Sequence, residues 1–130
     1  MLKLRVYTAV ALVLPFLGIL FFGSWLYFAV MAGLVVSLAA WEWAGLAGVK
    51  QVLARLFYTL VIALSGILMG WFLYSASNHQ YLLSLFTSAA IWWAVALLWV
   101  QGYPSSAVIW GSVPVRLLMG WFVLVPAWLA

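Results

Sequence analysis

Cysteine is absent from this chain, so it has neither a disulfide framework nor a thiolate metal site. Charge is almost absent as well: of 130 residues, five are Lys or Arg and one, Glu42, is acidic. A single carboxylate provides no acidic cluster for a divalent cation. The only histidine, His79, would need further ligands for a metal or b-type haem site within one chain, and only methionine and the distant Glu42 are available. There is no P-loop, no Gly-rich nucleotide fingerprint and no nucleophile beside a His base. The net charge of +4 does not point to nucleic acid, because five scattered basic residues make no phosphate-binding stripe.

What the chain has is apolar surface. Hydrophobic residues make up 71% of it and charged residues 5%, more apolar surface than a water-soluble core could hide. The apolar residues fall into runs at about 6–22, 25–46, 56–74, 82–100 and 115–130. The breaks between them are Gly23-Ser24, the Gly-bearing stretch around Lys50, the polar stretch Ser75 to Gln80, and the Pro- and Gly-bearing segment Gln101 to Pro114. Each run is about long enough to cross ~30 Å of hydrocarbon at ~1.5 Å per residue. Backbone groups in lipid must be satisfied internally, and the runs lack the alternation of barrel strands. The expected fold is therefore all-α: one polytopic transmembrane helix bundle over 1–130, with four full helices and a fifth that reads as interrupted. Pro15 and Pro126 fall inside helical runs, where each removes a donor and is expected to kink its helix.

The basic residues supply orientation. Lys3 with Arg5, Lys50 with Arg55, and Arg116 all fall on one side if the helices alternate direction, which puts the N-terminus in the cytoplasm. A signal peptide is disfavoured for the first run, which is long for such a segment and precedes no A-x-A-like site. His79 is expected to be a solvated residue of the non-cytoplasmic connection.

Small residues mark two packing faces, Ala29, Gly33 and Ser37 in the second run and Gly66 with Gly70 in the third. Contact between helices of one chain is the plain reading, and a homodimer seam is the alternative for either face. Seven of the ten tryptophans, Trp25, Trp41, Trp43, Trp71, Trp99, Trp110 and Trp128, lie near proposed helix ends and read as an aromatic belt. Trp92, Trp93 and Trp121 lie deeper and need partners for their indoles.

Glu42 lies eight residues before Lys50, about 12 Å deeper along a continuous helix. An ionised carboxylate there needs a partner or water. Arg5, Arg55 and Arg116 are on the right side for an ion pair, and a polar cavity is the alternative. Lys50, Arg55 and Arg116 also lie where anionic lipid headgroups are found, with topology signalling as their plain role.

Several segments together resemble the bacterial phosphatidate cytidylyltransferases, also called CDP-diacylglycerol synthases. They are Leu2-Lys3-Leu4-Arg5 with Thr8-Ala9 and Leu14-Pro15, then Ala39 through Leu46 around Trp41-Glu42-Trp43, Trp92 through Leu98, Tyr103 through Trp110, and Arg116 through Gly120 to Val125-Pro126. The resemblance spans essentially the whole chain, and Lys3/Arg5, Trp41-Glu42-Trp43 and Tyr103-Pro104 discriminate best. It implies an inner-membrane enzyme of phospholipid biosynthesis that joins CTP and phosphatidic acid, with Mg²⁺. It also implies that the Ser, Lys and Asp catalytic signature lies in a C-terminal half absent here, so no catalytic, cofactor-binding or metal residue carries over and the chain alone is expected to be inactive. Two other classes are a stand-alone scaffold or assembly subunit, and a small channel or carrier subunit that uses Glu42.

Overall fold

The computed structural model describes residues 1–130 and contains no strand. Its helices are α1 (Leu2–Phe22), α2 (Trp25–Leu46), α3 (Val52–Ala76), α4 (His79–Gln101), a single turn α5 (Ala107–Trp110) and α6 (Val113–Leu129). α1 to α4 are each long and apolar enough to cross a membrane. The 17 residues of α6 reach about 25 Å. This is the all-α, multi-pass architecture expected, with α6 as the fifth apolar helix.

The helices overrun the apolar runs because the backbone does not stop coiling where hydrophobicity stops. α3 takes in Val52 to Arg55, and Leu, Ala and Arg are good helix formers. α4 starts at His79 because Asn78 caps it, its side-chain oxygen accepting from the Gln80 N–H at 2.9 Å. His79, expected in a loop, is thus the first helical residue, and only Ser77 and Asn78 connect α3 to α4. Helix continues through Pro15 and Pro126. Pro114 sits in the first turn of α6, where its missing N–H leaves no bond unmade.

The end of α2 is set by Gly48, whose φ of +102° is open to glycine and strained for other residues. The Val49 N–H donates to the Ala44 carbonyl at 3.0 Å, and the Gly48 N–H to that of Gly45 at 3.1 Å. This pair of bonds is a Schellman closure of the helix.

Packing separates the chain, expected as one region, into Met1–Val35 and Val36–Ala130, with the boundary inside α2. In the first unit α1 buries no residue. The Phe16 and Phe28 rings meet at 5.2 Å, and an apolar groove of about 420 Å³ runs past Gly18, Phe22, Tyr27 and Leu34.

The second unit has a core of Ala40, Ile62, Leu124 and Val125, flanked by Val36, Trp43, Tyr58, Trp121 and Leu129. α6 is its centre, burying Gly120, Leu124, Val125 and Pro126 and packing on both α3 and α4. On the α3 side, a Cβ at Gly66 would overlap the Trp128 indole, and one at Gly70 would touch Leu129. The Gly66 and Gly70 face, one of the two considered for a homodimer, is therefore filled by α6 of the same chain. On the α4 side Trp92 stacks on Phe122 at 5.2 Å and meets Trp99 edge-on at 5.7 Å.

The aromatic belt accordingly divides. Trp25 and Trp71 are about three-quarters exposed, as belt residues should be. Trp43, Trp110 and Trp128 are instead partly buried against other helices or the α4–α6 connection, and Trp99 is partly buried and meets Trp92 of its own helix. Among the deep tryptophans, Trp92 and Trp121 pack on Phe122, Trp93 is exposed, and the Trp92 indole N–H has no hydrogen-bond partner.

Candidate functional site

The first turn of α6 lies beside the turn joining α2 to α3: a Cβ on Gly48 would stand 3.5 Å from Cγ2 of Val113. Two side chains fasten it. The Trp43 indole N–H donates to the Arg116 carbonyl at 2.8 Å, and the Tyr58 hydroxyl donates to the Leu117 carbonyl at 2.8 Å. A carbonyl oxygen has two lone pairs, so each accepts the side chain in addition to its helical partner. Gly120 makes the approach feasible, because a Cβ there would collide with both Trp43 Nε1 and Tyr58 Oη. In hydrocarbon the alternative for these polar groups is no partner at all, and each such interhelical bond contributes about 0.6 to 1 kcal/mol.

Two of the expected cations gather at this end. The Arg55 Nε donates to the Val49 carbonyl at 2.7 Å, and its guanidinium lies on Gly45, 3.1 Å from where a Cβ would be. Arg55 thus satisfies a carbonyl left open after α2. Arg116 is part-buried and lines a cleft of about 280 Å³ with Trp43, Leu46, Ala47, Trp110 and Met119. Its Nε is buried and has no hydrogen-bond partner. Lys50 is exposed on the adjoining turn.

Glu42 is exposed and does not join this group. The ion pair considered with Arg55 or Arg116 is not formed, since Arg55 turns to Val49 and Arg116 turns into the cleft. Helical geometry explains this. Neighbouring residues point about 100° apart, and Trp43 is the one that faces α6.

Three residues central to the site are not marked as such by the sequence. From sequence alone Trp43 reads as a belt residue, Gly120 stands out only within the resemblance, and Tyr58 does not stand out. The available signals were a hydroxyl inside an apolar run, which needs a partner, and a glycine four residues after the lone Arg116. The residues present do not fit a divalent cation. No three His, Cys, Asp or Glu side chains come together, and Mg²⁺ takes oxygen ligands, usually with carboxylates among them.

Several apolar helices fastened through carbonyls and small residues define a multi-pass membrane protein. Residues 3–129 match the Cytidylyltransferase family, and the chain belongs to that family. It is 39% identical over 128 residues to the phosphatidate cytidylyltransferase of Pseudomonas aeruginosa, covering 98% of this chain and 45% of that protein. It is 37% identical over 135 residues to the phosphatidate cytidylyltransferase of Haemophilus influenzae, covering 97% of this chain and 46% of that protein. The chain therefore spans under half the length of these relatives. No solved structure matches it significantly.

Proposed function

We propose that these 130 residues are the N-terminal membrane portion of a phosphatidate cytidylyltransferase, which converts CTP and phosphatidate into CDP-diacylglycerol and diphosphate. The observation that carries this reading is the 39% identity over 98% of the chain to a protein of that name. Nucleotidyl transfer needs oxygen ligands for Mg²⁺ beside the triphosphate, and one exposed carboxylate does not supply them. The reading therefore assigns the metal ligands and the reacting groups to sequence outside these residues. These helices serve as the membrane-embedded wall on which that part is built.

The same reading locates the protein in the bacterial cytoplasmic membrane with its N-terminus inside, since all five basic residues then lie on the cytoplasmic side. Arg55, bonded to the α2–α3 turn, and Arg116, beside Leu46 and Ala47 at the end of α2, support this. A homodimer through Ala29, Gly33 and Ser37 belongs to the same proposal, with disulfide trapping of a Ser37→Cys variant as its check.

The deciding test is CTP-dependent lipid synthesis in membranes. Membranes carrying the intact parent protein should convert phosphatidate and radiolabelled CTP into CDP-diacylglycerol, and membranes carrying the 130 residues alone should not. Turnover by the 130 residues alone would overturn the assignment of chemistry elsewhere. An inactive but well-inserted parent protein would overturn the enzyme reading itself.

A further inference from the structure

We propose that the Arg116 cleft is a head-group site for one anionic phospholipid, whose phosphate pairs with the guanidinium while its first tail carbons lie against Trp43, Leu46, Trp110 and Met119. Arg116 carries a cation into an apolar cleft, and its Nε is buried with no hydrogen-bond partner. A part-buried guanidinium among apolar side chains, with no acceptor from the chain, makes a place that favours an anion. The chain does not supply one. Glu42, the only acidic side chain, is exposed and points elsewhere.

The other polar side-chain atoms of the cleft are already engaged. The Trp43 N–H goes to the Arg116 carbonyl, and the Trp110 N–H goes to the Ser106 hydroxyl at 3.3 Å. Ser106 in turn donates to the Trp99 carbonyl at 2.6 Å. A single free cation in an apolar wall therefore remains. Inorganic phosphate or a triphosphate is normally cradled by several donors at once, whereas an amphiphile needs one charged contact and a greasy support.

Size and depth agree. A cleft of about 280 Å³ lies just below the ~300–1,000 Å³ usual for enclosed small-molecule sites, which suits a head group whose tails stay in the bilayer. The cleft lies near the end of α6 that adjoins the Lys50 turn, and anionic lipid surfaces attract basic residues at that level. Trp43 acts as a positioning residue, because its bond to the Arg116 carbonyl fixes the turn from which the guanidinium projects.

The test is native mass spectrometry of the delipidated chain in dodecyl maltoside, titrated with dioleoyl phosphatidate or dioleoyl phosphatidylcholine. The chain should retain one phosphatidate in preference to phosphatidylcholine. Arg116→Gln should weaken retention about tenfold, the scale of losing a charge-assisted phosphate contact. Met119→Trp fills the cleft but keeps the charge, so it should weaken retention too, and it decides the matter if Arg116→Gln does not fold. Lys50→Gln should bind as the unaltered chain does. Equal retention of both lipids, unchanged binding in the folded variants, or displacement of phosphatidate by millimolar inorganic phosphate or CTP would each overturn the proposal. Lipid retention is read without turnover, so this inference and the enzymatic reading fail separately.

Discussion

In Met1–Val35, α1 buries no residue and a Cβ on Gly18 would meet nothing within 4 Å, whereas in Val36–Ala130 glycines 66 and 120 are filled to contact by tryptophan and tyrosine side chains from other helices. Both units are built from helices of membrane-spanning character. The contrast shows that apolarity puts a helix into lipid but does not dock it there, because lipid tails solvate leucine as well as another helix does. What docks helices is close backbone approach at small residues, together with polar side chains that need partners. The second unit has both at one place, where Gly120 admits Trp43 and Tyr58 to the carbonyls of α6.

Substitutions at the two kinds of position test that contrast. Gly120→Leu should have the largest effect, because it overfills a closed contact and breaks two interhelical bonds. A loss of about 3 kcal/mol in a reversible unfolding assay in bicelles is expected. Tyr58→Phe removes only the bond to the Leu117 carbonyl and should cost about 1 kcal/mol in the same assay. If Gly120→Leu proves no worse than Tyr58→Phe, the fastening at the first turn of α6 is not what holds the second unit. Gly18→Leu adds bulk where there is open space and should change stability by less than about 0.5 kcal/mol. A large loss there would erase the distinction between the units. Glu42→Gln should have the smallest effect, leaving expression and melting temperature unchanged. A clear drop in either would mean that this carboxylate is held by a charge after all.

Much of this was legible in the residues. The apolar runs placed the long helices, and Gly66 with Gly70 marked a real packing face. The clustering of cations singles out Arg55 and Arg116, which lie at the same end of the second unit without touching the same groups, Arg55 on Val49 and Gly45 and Arg116 in the cleft beside Trp43 and Ala47. Glu42 stands out in the sequence as the only acid, yet chemical rarity does not say which way a side chain points. Trp43, one residue on, faces the neighbouring helix instead. Tyr58 is inconspicuous for the complementary reason. Its importance lies in a carbonyl of Leu117, 59 residues away in the chain, and backbone carbonyls look alike in any sequence.

The sequence by itself determined that the chain crosses the membrane several times as helices, because hydrocarbon admits no unpaired backbone and the 71% apolar composition leaves no other solvent for it. It also determined where α2 stops, since the left-handed turn at Gly48 is a local requirement that glycine meets. Only the tertiary structure decided which faces of those helices touch, that Trp43 is a fastener while Trp25 stays exposed, and that Arg116 rather than Glu42 occupies a cleft. Those outcomes depend on helix rotation and close approach, and a helix that is apolar all round carries no hydrophobic stripe from which its rotation can be read.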